Sequence, residues 1–422
     1  MESCNTESSL DLPLESLSLQ PFLQSLHKEQ WQEVRLGEIV DVKHGYAFAG
    51  KNITTEHTPN VLVTPGNFHI GGGFKSQKFK YFNGEIPKSF IFSTGDIIVT
   101  MTDLSKDGDT LGYSAKIPKD SEHIYLHNQR IGLLLFLRSD ICKDFIYWLL
   151  RTKNYQAFIV NSATGTSVKH TSPKLIGEYR FPLPPLTIQQ KIAEILSSFD
   201  DKIDLLHRQN KTLESLALTL FRHYFIDNPN RSEWEEKPLS EVAEIGIGRT
   251  PPRKEKNWFS TDSRDIKWIS IKDMEEKIFI VNTSEFLTME AIRKFRIPLI
   301  PPNTILLSFK MTLGRVSITT ENMLSNEAIA HFNLYSEYRL FTEYLYCFLK
   351  TFKYETLGST SSIVTAINST LIKSINIRIP DRKIIVEFSM IAKGFFDKIY
   401  NNTKQIQNLQ AMRDMLLKAI FA

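Results

Sequence analysis

The chain has 422 residues, a length that usually serves two or three domains, and its 42% hydrophobic and 23% charged composition is that of a globular protein. No apolar run approaches the roughly 20 residues of a membrane helix, and no basic-then-apolar leader opens the sequence. The three cysteines (Cys4, Cys142, Cys347) are too scattered for a disulfide framework or a zinc knuckle, so a cytoplasmic protein without a metal is expected. The net charge of +4 hides an acidic start: residues 1–30 carry Glu2, Glu7, Asp11, Glu15 and Glu29 against Lys28, leaving +8 on the remainder. That balance permits phosphate contacts without demanding them.

Residues 1–30 are rich in Ser and Leu and have no counterpart later in the chain, which predicts a peripheral or mobile extension. From Trp31 the sequence is duplicated. Trp31-Gln-Glu-Val-Arg-Leu-Gly-Glu38 returns as Trp234-Glu-Glu-Lys-Pro-Leu-Ser-Glu241, and Gly45 matches Gly248. Gly95-Asp-Ile-Ile-Val-Thr100 matches Asn303-Thr-Ile-Leu-Leu-Ser308, Asn128-Gln-Arg-Ile131 matches Asn326-Glu-Ala-Ile329, and Phe181-Pro-Leu-Pro184 matches Ile377-Arg-Ile-Pro380. Short β-branched and aromatic runs such as Phe90-Ile-Phe92, Ile97-Ile-Val99, Trp268-Ile-Ser-Ile271 and Ile305-Leu-Leu307, broken by Gly, Pro, Asn and Asp, predict strands. Residues 145–150 and 344–349 predict a packed helix near the end of each copy.

Each copy closes in a long helical pattern. In the first, Ile188, Ile192, Ile195, Phe199, Ile203, Leu206, Asn210, Leu213, Ala217, Leu220 and Tyr224 advance in steps of three or four after Pro184-Pro185. In the second, Ile384, Phe388, Ile391, Phe395, Ile399, Asn402, Ile406, Leu409, Arg413, Leu416 and Ile420 do the same. So narrow a stripe predicts a coiled-coil seam on a strut of about 55 Å, with a stutter at Ile195-Phe199-Ile203 and Ile391-Phe395-Ile399. Asn210 and Asn402 interrupt the seam at points of the repeat four residues apart, so in an antiparallel pair centred near position 208 they would face each other and set the register. The expected plan is α+β: an extension (1–30), a mixed domain (31–183), a strut (184–227), a second mixed domain (228–379) and a second strut (380–422).

Candidate nucleic-acid contacts follow from the cations. Arg249-Thr250-Pro-Pro-Arg253-Lys254-Glu-Lys256-Asn-Trp258 is a basic turn stiffened by two prolines, either a phosphate or guanine reader or a solvated loop. Its first-copy counterpart, Lys43-His44-Gly45-Tyr46, is less basic, and Tyr46 and Phe48 suit a core equally well. Lys169 and His170 end the small-residue stretch Thr164-Gly-Thr-Ser-Val-Lys-His170. Lys75 and Lys78 follow Gly71-Gly-Gly73, either a flexible clamp or a hairpin tip, and Lys310 and Arg315 flank Gly314 in a strand-to-strand turn. Asn128 and Asn326 read as buried polar residues that serve loop backbone.

With these motifs in order and repeated, the chain after residue 30 resembles the specificity subunits of Type I restriction–modification systems, the HsdS family. The resemblance implies two target recognition domains, each reading one half of a split, asymmetric double-stranded DNA site. It also implies struts that pair antiparallel along Ile192, Phe199, Leu206, Asn210, Leu213 and Leu220 against Phe388, Phe395, Asn402, Ile406, Leu409 and Leu416. Two modification (methyltransferase) subunits and restriction (nuclease and translocase) subunits would dock on that core, making an adenine-specific methyltransferase and ATP-dependent endonuclease. S-adenosylmethionine, ATP and Mg would then belong to the partners and no catalytic residue to this chain. The second copy, Gly358-Ser-Thr-Ser-Ser-Ile363, departs from the pattern and lacks the Lys-His pair, so that pair's role does not transfer.

Two other classes remain. A stand-alone adenine methyltransferase needs an Asn/Asp-Pro-Pro-aromatic loop for a flipped base, and Asp227-Asn-Pro-Asn230 has one proline and no aromatic. A nuclease motor would need a glycine-lysine phosphate loop, of which there is no sign. A coiled-coil scaffold that binds protein through its globular domains is the remaining reading.

Overall fold

The computed structural model describes residues 20–105, 107–165, 168–357 and 368–421. Most of the expected N-terminal extension, positions 166–167 of the small-residue stretch, its second copy at 358–363 and the Lys256 side chain lie outside the described residues. The described chain divides into two units, residues 1–201 with 409–422, and residues 202–408.

Both units are built on one scheme. In the first, Gln32–Arg35 pairs antiparallel with Arg180–Leu183, so the strand that enters the domain is zipped to the strand that leaves it. In the second, Glu235–Pro238 pairs antiparallel with Asn376–Ile379 in the same way. Each main sheet repeats one strand order. Val40–His44, Ile131–Phe136, Ile97–Thr100 and Ser114–Lys116 lie side by side in unit 1. Ala243–Ile247, Ile329–Leu334, Ile305–Ser308 and Val316–Thr319 do so in unit 2, with Phe279–Ile280 added in parallel. A second, four-stranded sheet in each unit contains one parallel pair, Asn60–Leu62 with Ile124–Leu126 and Ile266–Ile269 with Leu324–Ser325. The apolar runs Ile97-Ile-Val-Thr100 and Ile305-Leu-Leu-Ser308 are buried at every position, as strands covered on both faces must be.

The helices predicted near each domain's end are Lys143–Leu149 and Thr342–Thr351. The predicted strand at Phe90-Ile-Phe92 is instead a 3-10 turn, Lys88–Phe90, followed by a single bridge from Ile91 to Leu126.

The long helices span Leu186–Phe221, which continues as a π turn Arg222–Ile226, and Arg382–Phe421. The buried face includes Ile192, Phe199, Leu206, Phe388, Ile406, Leu409 and Leu416, with Leu213 and Leu220 partly buried. The seam does not follow the predicted stripe throughout. Leu196, Phe221, Phe225, Ile385, Ala392 and Phe396 are buried, whereas Ile195, Tyr224, Ile384 and Phe395 are half-covered and Ile391 is exposed. The run of two four-residue steps in the second helix therefore lies at Phe388, Ala392 and Phe396, one turn position away from the expected stutter. The cause is packing. Near each domain the helix meets the domain core as well as its partner helix, and Ala217, Phe221, Phe225, Phe388 and Phe396 share one cluster with Trp234, Leu239, Ile305, Phe332 and Leu345. A coiled-coil seam alone does not describe these ends; they are core helices.

Antiparallel pairing is visible inside each unit. In unit 2, Phe221 and Phe225 pack on Phe388 near one end (ring centroids 6.4 and 4.9 Å), and Asn402, 1% exposed, donates its amide to Asn210 Oδ1 at 2.9 Å. The two polar interruptions that the repeat offset pairs are thus in direct contact. Glu214 holds the helix to its domain by accepting from the Tyr346 hydroxyl (2.7 Å) and pairing with Lys350 (3.0 Å). In unit 1 the clasp is different: Asp200 accepts from Arg413 (2.7 Å) and from Arg151 (2.5 Å), and Arg151 lies over the Trp148 ring at 4.3 Å. The end of the second long helix docks there too, with Phe421 against Phe145 at 5.4 Å.

Replacing Asn402 with leucine is expected to take the donor from Asn210 Oδ1, and replacing Asn210 to leave Asn402 only its longer contact to Gln209 Oε1 (3.4 Å), either change lowering the unfolding free energy by about 1–3 kcal/mol. The double replacement should recover part of that loss, giving a coupling of about 1 kcal/mol or more in a urea-denaturation double-mutant cycle. Additive effects would show that the pair does no such work.

Candidate nucleic-acid interface

One end of the main sheet gathers the candidate residues, and it does so twice. In unit 1 the turn at Gly45-Tyr46 lies against Asn128: Tyr46 N–H donates to the His127 carbonyl (2.8 Å), and Gln129 N–H donates to the Tyr46 carbonyl (2.9 Å). A Cβ on Gly45 would stand 2.1 Å from the Asn128 carbonyl oxygen, so only glycine allows this approach. In unit 2, Arg249 N–H donates to the Ser325 carbonyl (2.8 Å), and a Cβ on Gly248 would stand 2.2 Å from that same oxygen. The duplicated Gly and Asn are therefore two sides of one close backbone contact. Asn326 serves loop backbone through Oδ1, which accepts from Ala328 N–H at 3.0 Å.

Beside this contact each unit carries a loop between two main-sheet strands, closed by the same latch. Met101 N–H donates to the Arg130 carbonyl (2.9 Å), and Phe309 N–H to that of Ala328 (3.0 Å). The Thr100 hydroxyl donates to the Thr110 carbonyl at 2.6 Å, and the Ser308 hydroxyl to the Thr312 carbonyl at 2.5 Å. Gly112 (φ 82) and Gly314 (φ 86) then bring the chain back, each donating its N–H to the carbonyl of the latch residue at 3.0 Å. The sequence signal was there to find, since Thr110-Leu-Gly112 and Thr312-Leu-Gly314 are the same tripeptide. The first loop is longer, and its extra length is pinned by Asp103, whose carboxylate accepts from the N–H of Ser105 (2.7 Å) and Thr110 (2.5 Å).

The contact residues expected from the sequence fall into three groups. His44, Lys169 and His170 stand at this end of unit 1. Lys169–His170 pairs with Thr102–Asp103 of the long loop, and the His170 ring nitrogen Nδ1 lies 3.1 Å from the Thr102 hydroxyl. Arg249, Thr250 and Lys310 stand at the equivalent end of unit 2, where the Thr250 hydroxyl donates to Glu327 and Arg249, like the residues of the next group, has a partner in the fold, its guanidinium donating to the Phe295 carbonyl (3.1 Å). Lys254 is exposed on the same proline-stiffened turn, and Lys256 continues that turn in the backbone of a 3-10 segment.

A second group has structural partners. Lys43 donates to the Ser89 carbonyl (2.9 Å) and lies over the Phe90 ring. Arg253 forks onto Glu285 (2.6 and 3.0 Å) and stacks on Phe259 and Trp268. Arg315 donates to the Ile271 carbonyl (2.7 Å) and to Glu275 (3.3 Å). These three hold loops in place, and their charges are partly answered within the fold.

The third group, Lys75 and Lys78, belongs to a different turn. Gly71, Gly72 and Gly73 all have positive φ, Gly73 N–H donates to the Ser114 carbonyl (2.8 Å) and Arg151 Nε donates to the Gly71 carbonyl (2.9 Å). Of the two readings, clamp or hairpin tip, the structure has the second: Phe68 bridges Phe74 antiparallel and the glycine turn between them is fastened. Tyr46 is 41% exposed and rests edge-on against Phe48, which is core. Gln129 and Arg130, directly after Asn128, are also exposed at this end, and no local sequence pattern marks them as contacts.

A buried histidine underlies each end. His127, 1% exposed, donates Nε2–H to the Ile131 carbonyl (2.9 Å), and His331 Nε2 lies 2.7 Å from the Ser325 hydroxyl. Burial pushes both pKa values down to about 4. Among the described residues no group of three or more His, Cys, Asp or Glu is placed to hold a metal ion, and no helix is long and apolar enough to cross a membrane.

Against known proteins, residues 28–215 and 231–411 each match the family model described as the Type I restriction modification DNA specificity domain. The MjaIX specificity subunit of a Type I restriction enzyme from Methanocaldococcus jannaschii is 26% identical over 310 residues, 67% of this chain and 69% of that one. The HindI specificity subunit from Haemophilus influenzae is 23% identical over 398 residues, 74% of this chain and 85% of that one. Among solved structures, a Type I restriction–modification S subunit from M. genitalium has a similar fold, with a TM-score of 0.54 at 17% identity over 93% of this chain and 96% of that one.

Two outcomes are expected. Gly248→Ala should destabilise unit 2 by about 1–3 kcal/mol, because backbone must move to admit the Cβ, and urea unfolding measures it. Since both rings are neutral when folded and an unfolded histidine protonates near pH 6.5, stability should be full above that pH and fall as pH drops from about 6.5 to 4, by at most about 3 kcal/mol per ring. His331→Gln should flatten that slope; an unchanged slope would mean that the ring does not set it.

Proposed function

The chain belongs to the Type I restriction–modification DNA specificity family, and on that premise we propose that it is the non-catalytic subunit that gives such a complex its DNA address. Each domain would read one half of a split site through the sheet end where the glycine contact, the Asn turn and the latched loop converge. The observation that carries this is the coincidence of two family matches with two copies of one loop scaffold bearing different side chains. Gln129 and Arg130 in one copy stand where Glu327 and Ala328 stand in the other. Different side chains on one scaffold recognise different words, which makes an asymmetric site.

His44, Arg130, Lys169, His170, Arg249, Lys254 and Lys310 would supply the phosphate and base contacts. The paired long helices would present the surface for two methyltransferase subunits, with restriction subunits joining them. S-adenosylmethionine, ATP and Mg would be held by those partners.

The test is to map methylated adenines genome-wide with and without the gene, and to measure duplex binding of the purified complex at several salt concentrations. A split motif that disappears on deletion, with affinity falling steeply as salt rises, is the expected result. An unchanged methylation map with salt-independent binding would refute it in favour of a protein-binding scaffold.

A further inference from the structure

Met311 is the most exposed large apolar side chain among the described residues, at 99%, and it sits at the tip of the latched loop of unit 2. Its backbone is left-handed (φ 60), a conformation that a residue with a Cβ adopts at a cost and that glycine or asparagine would adopt more readily. The loop is not slack. Besides the Ser308 latch, Thr312 N–H donates to the Lys310 carbonyl (2.7 Å) and Arg315 N–H to the Ser308 hydroxyl (3.1 Å). The longer loop of unit 1 also holds up an apolar residue, Leu104, 67% exposed, between the Asp103 and Ser105 that fasten the loop base.

A fastened loop that twice lifts an apolar side chain into water, once on a strained backbone, wastes stability unless something covers that side chain. The neighbours say what kind of surface. Lys310 precedes Met311, and Lys169 and His170 pair with the strand before Leu104; of the carboxylates in that loop, Asp103 already accepts backbone N–H groups, and Asp107 and Asp109 follow three and five residues beyond Leu104. An apolar tip with a lysine beside it in each unit, Lys310 and Lys169, fits a polyanion with apolar faces inside it.

We propose that Met311 and Leu104 are wedges that enter the base stack of the bound duplex, one in each half-site, and prise open a base step. This deepens the reading of the two domains as DNA readers and rests on it. Apolar side chains inserted at a step partly unstack it and kink the duplex, so each half-site would be chosen partly by how readily that step opens, at positions that no hydrogen bond reads.

The experiment uses the complex assembled with its methyltransferase chains. A pool of random duplexes is selected on the wild-type complex to obtain its site, and Met311→Ser, Leu104→Ser and the conservative Met311→Leu are then compared on that site. The serine variants should bind the intact duplex about tenfold or more weakly but a duplex with a mismatch at the wedged step within about threefold of wild type, because the mismatch removes the unstacking work. Met311→Leu should bind like wild type. Affinity within twofold on the intact duplex, or equal loss on intact and mismatched duplexes, would overturn the proposal. So would a uracil-for-thymine duplex that reproduces the loss, which would mean a methyl contact instead of a wedge. A wild-type complex that selects no site would refute the DNA-reading premise, and this proposal with it.

Discussion

Burial of one apolar face along each long helix is the interaction on which both units depend. It is not a separate seam. Phe221, Phe225, Phe388 and Phe396 belong to the same cluster as the strands and helix of the second domain, and in the first Trp148 donates to Ser197 of the long helix while Phe145 meets Phe421. Because the strand that leads into each long helix is zipped to the strand that opens the domain, the helix leaves in a direction set by backbone hydrogen bonds, and its apolar face must then be covered by what lies there.

Polar groups set which covering is chosen. A buried amide pair, a carboxylate between two guanidiniums and a Glu with a tyrosine hydroxyl each tolerate only one arrangement, since a slip of a helical turn would leave a buried donor or charge unmatched. The two units use different sets, Asp200 with Arg151 and Arg413 in one and Glu214 with Tyr346 and Lys350 in the other. The duplicated scaffold is therefore joined by non-duplicated chemistry, which distinguishes the two pairings from each other.

The loop ends show the same division between scaffold and content. Glycine at 45 and 248, a latching hydroxyl at 100 and 308 and a positive-φ glycine at 112 and 314 recur in both copies, each serving backbone geometry. Everything those backbones display is free to differ, and it does: Arg130 against Ala328, Gln129 against Glu327, Leu104 against Met311. A reader of variable targets needs this separation, in which replacing the displayed side chains leaves the fold intact.

The amino-acid sequence by itself determined the duplication, the two mixed domains, the two long helices and the facing asparagines, because all of these are periodic or repeated and repetition survives without coordinates. It could not determine which face of each helix is buried near a domain. One residue of rotation separates Ile391, exposed, from Ala392, buried, and only the domain packed there decides between them. Nor could it sort the cations. Arg253, Arg315 and Lys43 looked like Lys254, Lys310 and Lys169 until Glu285, Glu275 and the Ser89 carbonyl, distant in sequence, were placed beside the first three. Local pattern records what a residue prefers; the tertiary structure decides which partner reaches it, and for charge on a loop that partner decides the role.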